Sequence, residues 1–180
     1  MNPVSAAFEP LMGTPSWHTV RGWGRFFTME FGQPSLTIDH PRRLPIGIEG
    51  APKDAIRRPV HVRGEWHLWI YHSQWLLTLE GSHLARSESD NQTIDRALAV
   101  LNGQQLINVQ VAPIDGRSRF EFDLGCVLDT WPIPAEDELD VQWMLYQPAD
   151  EVLTVRRDGK YCLASAKAKD EDKVWLPLSS

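Results

Sequence analysis

Four histidines, His61, His67, His72 and His83, fall within one stretch of the chain, and metal ligation is the first chemistry they bring to mind. Neither an HxH nor an HExxH spacing occurs among them. On one extended strand His67 and His72, five residues apart, point to opposite faces and cannot aim at one ion. Cys126 and Cys162 stand far apart without a CxxC partner, so no metal and no cofactor is expected. Glu30 and Asp123 hold matching places in two similar segments, and a close carboxyl pair could divide acid and base roles. The simpler expectation puts both on the wet sides of alternating strands. No GxSxG elbow is present, and neither cysteine has the helix start or basic neighbours that activate a thiol. Gly22-Trp23-Gly24 has no phosphate-binding continuation. No catalytic constellation emerges, so the sequence predicts a protein that is not an enzyme.

Two surfaces remain as candidate binding sites. His67, Trp69 and Tyr71 alternate against Trp66, Leu68 and Ile70, which leaves an aromatic row opposite the most apolar one. Such a row suits a sugar or a flat ligand, although indoles also serve as core filling with one hydrogen bond each. Glu136-Asp137-Glu138 with Asp140 is the densest acidic cluster, on a loop after Pro132 and Pro134. It reads as a solvated loop or as a docking patch for a basic protein.

Charge is divided unevenly. Residues 1–63 carry eight Lys/Arg and five Asp/Glu, a balance of +3, whereas residues 64–180 carry ten and nineteen, a balance of −9. An acidic majority argues against general nucleic-acid binding, because Arg42-Arg43 and Arg57-Arg58 are too few to neutralise many phosphates. It could steer a basic partner. The chain has 180 residues, 42% of them apolar, and eight tryptophans. That suits one domain with a core large enough to need neither disulfide nor metal. The two cysteines read as free buried thiols in a reducing compartment, with a single disulfide between them as the alternative. Met1–Gly13 lacks a signal-peptide pattern and no apolar run approaches membrane-spanning length, so a cytoplasmic protein is expected. Exposed aromatic faces would favour a homodimer.

The elements that must hold these residues are mostly strands. Residues 1–22, with Pro3, Pro10 and Pro15, read as an irregular leader. Phe27, Met29 and Phe31 alternate with Thr28 and Glu30, and Gly32-Gln33-Pro34 reads as a turn to a partner strand containing Leu36 and Ile38. Residues 40–59, rich in proline, read as an irregular connection. Val60–Glu80 is the strongest β-forming section. Ser89-Asp90-Asn91 offers cap oxygens, and Ile94, Leu98 and Leu101 form one apolar stripe, which predicts a helix over 91–102 closed by Asn102-Gly103. Further strands follow around Gln105–Ala112, Ser118–Leu124, Val127–Trp131, Val141–Leu145, Val152–Arg156 and Tyr161–Leu163. The expected class is α+β, predominantly antiparallel β, in a single domain 1–180.

An echo suggests how it is built. Phe27-Thr28-Met29-Glu30-Phe31-Gly32 is answered by Phe120-Glu121-Phe122-Asp123-Leu124-Gly125, and Trp69-Ile70-Tyr71 by Trp143-Met144-Leu145-Tyr146. The order is kept, which predicts two tandem β-hairpin units, about 23–88 and 104–163, joined by the helix. Phe27 to Gly32, Leu101-Asn102-Gly103-Gln104-Gln105-Leu106, Phe120 to Gly125 and Asp158-Gly159-Lys160-Tyr161 form a hairpin grammar. In it the chain resembles small uncharacterised bacterial proteins of the immunity-protein type. The resemblance implies a non-enzymatic binder that blocks a partner, and it transfers no functional residue; the acidic balance after residue 63 makes a basic protein the expected partner. The alternative is a small-molecule or carbohydrate-binding domain using the aromatic surface.

Overall fold

Alternation of apolar and polar residues dominates this chain, and strands follow from it. The computed structural model describes residues 3–43, 50, 52, 54–134 and 140–178. Helix α1 (Pro3–Phe8) is followed by strands β1 (Ser16–Arg21), β2 (Phe27–Phe31) and β3 (Ser35–Ile38). Next come two-residue strands β4 (Arg42–Arg43) and β5 (Ile56–Arg57), then β6 (Val60–Arg63), β7 (Trp66–Ile70), β8 (Ser73–Leu79) and β9 (Ser82–Arg86). After helix α2 (Asn91–Ala99) lie β10 (Leu106–Val111), β11 (Ser118–Phe122), β12 (Cys126–Pro132) and β13 (Val141–Gln147). The chain closes through β14 (Glu151–Arg156), β15 (Lys160–Ser165) and β16 (Leu176–Pro177). The class is α+β, mainly antiparallel β, as the patterning predicts.

Two sheets hold most of these strands. One has the order β1-β2-β7-β13-β14-β15-β16, the other β10-β11-β12-β8-β9, and every pairing in both is antiparallel. One hydrophobic cluster takes Phe27, Met29, Leu68 and Leu145 from the first sheet and Leu77, Phe120 and Leu128 from the second. Aromatic edges lock the layers: Phe27 meets Trp75 at 5.2 Å, and Phe120 meets Trp143 at 5.9 Å, both near perpendicular. This edge-to-face arrangement sets the positive ring edge against the negative face. Cys126 and Cys162 are free and buried, and burial pushes both thiols above their ordinary value.

The strand order does not show two tandem hairpin units. Segments 23–88 and 104–163 each send strands into both sheets, and β7 and β13, expected counterparts, are neighbours in one of them. What does correspond is Gln74-Trp75-Leu76-Leu77 and Gln142-Trp143-Met144-Leu145. Both tryptophans are fully buried, and both satisfy their indole N–H at the start of a neighbouring segment. Trp75 donates to the Arg25 carbonyl (2.8 Å) and Trp143 to the Ser118 hydroxyl (2.7 Å).

Helix α2 has the predicted cap, with the Asp90 carboxylate accepting from the Thr93 amide at 3.0 Å. Ile94, Ala97 and Leu98 are buried. The helix stops at Ala99, and three-residue bonds carry the chain on to Asn102, so Gly103, at φ 90°, lies beyond a tightened last turn. It packs on β1 and β9, an edge strand of each sheet.

Residues 3–21 are not an irregular leader. Phe8 and Leu11 are fully buried, Phe8 against both Phe120 and Trp143, and β1 pairs with β2. Burial of two large side chains outweighs what three prolines cost in regularity. Leu36 and Ile38 do not pair with β2 either. Their strand β3 pairs with β6, and β2 lies between β1 and β7. With the short β4–β5 ladder, the β3–β6 pair makes an arm outside both sheets. Among the described residues no helix is long and apolar enough to cross a membrane.

Candidate functional site

Register alone assembles a site on the outer face of the seven-stranded sheet. Glu30 on β2 lies opposite His67 on β7, which lies opposite Tyr146 on β13. The adjacent row is Thr28, Trp69 and Met144. Side chains two apart on a strand share a face, so the two rows stand side by side on the face turned from the core. The arm covers part of it: β6 contributes His61, Val62 and Arg63 to a pocket of about 470 Å³ also lined by His18, Glu30, His67, Trp69 and Tyr146. That volume suits a small molecule.

Glu30 faces outward yet is only 4% exposed. One carboxylate oxygen accepts from His67 Nδ1 at 2.6 Å and the other from the Gly64 amide at 2.9 Å. A carboxylate only accepts, so Nδ1 carries the hydrogen and Nε2 is left to the pocket. Among the described residues no hydrogen bond occupies Nε2. Gly64 makes the second bond reachable: its backbone sits so close to Phe31 that a Cβ there would collide with the Phe31 carbonyl and amide. Tyr146 holds the other side of the imidazole edge-on, with centroids 5.6 Å apart. The Gly64 amide thus fixes the Glu30 carboxylate, and that carboxylate in turn fixes a ring whose remaining nitrogen is left to the cavity.

His18 enters by a different device. The β1–β2 register shifts between Trp17 and Val20, and His18 has φ 49°, a left-handed conformation unusual for a residue with a side chain. Such a bulge re-aims a side chain out of strict alternation, and strain of this kind gathers at ligand sites. His61 is oriented by Asp39, whose carboxylate lies 3.3 Å from Nε2. The Arg63 guanidinium forms no ion pair among the described residues. The pocket therefore joins a guanidinium without an ion pair among the described residues, and three imidazoles, to an indole and a phenol, with Glu30 already engaged below. Among the described residues no three His, Cys, Asp or Glu side chains converge as metal ligands.

His67 and Trp69 lie together in the pocket. Tyr71 does not line it: one residue beyond β7, its ring packs on Phe26 at 4.6 Å and on Trp69 at 4.9 Å. It supports the indole from behind. Glu136, Asp137 and Glu138 lie outside the described residues. The Asp140 carboxylate lies 3.2 Å from His72 Nδ1, and its side chain is 22% exposed. Glu30 and Asp123 do not meet, for Asp123 lies in the turn between β11 and β12 of the other sheet, where it accepts from the Gln105 amide at 2.7 Å.

Sequence reasoning overlooked His18, Arg63 and Tyr146, and the carboxyl pair it weighed for Glu30, with Asp123, does not form. Alternation does place Glu30 and His67 on wet faces. Their meeting across 37 residues needs the β2–β7 pairing, which no local pattern carries. No family model, no curated protein and no solved structure matches this chain.

Proposed function

We propose that this chain is a small-molecule-binding β-protein whose ligand sits over Trp69 and Tyr146, between β7 and the β3–β6 arm. The observation that carries the reading is the pinned His67, which lines the same pocket as the Arg63 guanidinium and the Trp69 indole. A planar or sugar ring stacks well on indole, and a guanidinium binds a carboxylate or phosphate in a two-pronged geometry. The ligand class is accordingly a ring-bearing small molecule with one anionic group and a hydroxyl or amide hydrogen for Nε2. Intrinsic fluorescence against a panel of sugar phosphates, nucleotides and aromatic carboxylates tests it. Saturable quenching is expected, absent in Trp69→Leu and about tenfold weaker in Arg63→Gln, equivalent to roughly 1.4 kcal/mol. An unchanged emission for the whole panel, or an identical change in Trp69→Leu, rejects the reading.

The charge division supports a second reading, an inhibitor of immunity type that captures a basic protein through residues 64–180, whose balance is −9. Its test is a pull-down from the native host at low and raised salt. Capture that is absent, or that salt leaves unchanged, counts against it.

A further inference from the structure

Further across the outer face of the seven-stranded sheet, over β13 and β14, lies a second cavity with its own cations. Along β14, Leu153 and Val155 enter the core, so Thr154 and Arg156 point the other way, yet they are only 6 and 7% exposed. Residues 166–175, between β15 and β16, cover them. This segment is tied back where the Ala166 amide donates to the Asp150 carbonyl at 2.6 Å. Its Trp175 ring lies over the Arg156 guanidinium, with 4.2 Å from Cζ to the ring centroid. Between strands and segment remains a cavity of about 370 Å³ lined by Met144, Thr154, Arg156, Lys173 and Trp175, with Asp170 at its rim. It shares no lining residue with the pocket under the arm.

The polar groups of this cavity are not fully spent. Arg156 gives Nε and Nη2 to the Asp158 carboxylate, and no hydrogen bond among the described residues occupies Nη1. Lys160 reaches the same carboxylate at 3.3 Å, so two cations share one anion. Lys173 Nζ holds Asp170 at 2.7 Å, but that carboxylate is 97% exposed, and an ion pair so open to water is weak enough to exchange for a ligand anion. The Thr154 hydroxyl, on the same wall, has no hydrogen bond among the described residues. Residues 156–176 carry six Lys/Arg and four Asp/Glu, a balance of +2 inside a half of the chain whose balance is −9. A buried guanidinium is costly to strip of water, and one indole face with one shared carboxylate replaces only part of its hydration. Pinning the segment needs only the Trp175 and Asp158 contacts, and it leaves Nη1, Lys173 and the Thr154 hydroxyl unaccounted for.

We infer that this cavity is a second ligand site, which takes the oxyanion group of a small metabolite, a phosphate or a carboxylate, between Arg156 Nη1, Lys173 Nζ and the Thr154 hydroxyl. Guanidinium, ammonium and hydroxyl all donate, and both kinds of oxyanion accept several such bonds at once. A metal ion would meet two positive groups, and an apolar ligand would leave the three donors dry.

Nitrogen-15 NMR of the full chain tests this by following the Trp175 indole and Arg156 Nε, assigned through Trp175→Phe. Sodium phosphate and sodium acetate are titrated at constant ionic strength, with sodium chloride as the control. Saturable shifts at both groups are expected, and the tighter of the two anions identifies the group the site prefers. Lys173→Gln should bind it about tenfold and Thr154→Val about threefold more weakly, because each removes one donor and leaves the Arg156 contacts in place. Far-ultraviolet circular dichroism of both variants should match the parent's, and Arg63→Gln should bind the anion as the parent does. Shifts that only track chloride, saturable shifts that neither variant weakens, or binding that Arg63→Gln abolishes each overturn the inference.

Discussion

Replacing Glu30 dissects the site, because alanine and glutamine remove different things. In Glu30→Ala the Gly64 amide and His67 Nδ1–H both lose their acceptor. A buried donor left unpaired costs about 1–3 kcal/mol, and water entering the pocket can serve His67 more easily than Gly64, so a loss of about 2–4 kcal/mol is expected. With a urea dependence of about 2 kcal/mol/M, the unfolding midpoint falls by about 1–2 M. Glu30→Gln keeps one carbonyl oxygen for Gly64 and turns an amide N–H toward His67, so stability drops by only about 1 kcal/mol. Its effect lies elsewhere. Nδ1 must now accept, the hydrogen moves to Nε2, and the atom shown to the ligand changes from acceptor to donor. Nitrogen-15 NMR of the imidazole reads that exchange directly, and ligand affinity should fall about tenfold while the fold persists. A Glu30→Ala protein within 0.5 kcal/mol of the parent, or an imidazole in Glu30→Gln with the parent's hydrogen placement, refutes the reasoning.

Phe8→Ala should cost about 3–5 kcal/mol, since Phe8 fills the space between Phe120 and Trp143; a urea midpoint near the parent's would return the N-terminal residues to the status of a loose leader. Trp143→Phe should cost about 2–4 kcal/mol, through lost volume and a Ser118 hydroxyl deprived of its donor, and Trp75→Phe should behave alike because its environment is alike. A thermal melt that separates the two variants by most of that amount would break the correspondence. For Asp158, burial raises the carboxyl pKa, but hydrogen bonding and attraction from Arg156 and Lys160 outweigh it, and the folded value lies below the ordinary 3.8. A folded value below the unfolded one gives stability that is full above about pH 4 and lost as pH falls through the lowered value. Asp158→Asn should remove that part of the acid dependence and leave the curve above pH 5 parallel to the parent's, as urea titrations across pH would show.

Much of this architecture is legible from residue patterns where the physics is local. The β7 alternation reads correctly because Leu68 and Ile70 need the core while His67 and Trp69 do not. The Asp90 cap reads correctly because helix starts leave amides that only a few side chains satisfy. Helix α1 is too short to show a period, and β1 conceals its alternation because the bulge at His18 breaks it. Gly32-Gln33-Pro34 looks like a hairpin turn, yet the strand after it departs to pair with β6. The same non-local choice explains the site. Trp69 and His67 are visible as an outward row, whereas Arg63 and His61 join them only because the arm folds back, which also brings the Gly64 amide onto the Glu30 carboxylate.

The claim that the Glu30–His67–Trp69 pocket receives a ring-bearing anion is met most directly by amide and side-chain NMR of the full chain, titrated with a fragment set of aromatic carboxylates and sugar phosphates. The account predicts saturable shifts concentrated at His18, Glu30, Arg63, His67, Trp69 and Tyr146. Shifts that cluster on another face of the molecule, or none for any fragment, would contradict it.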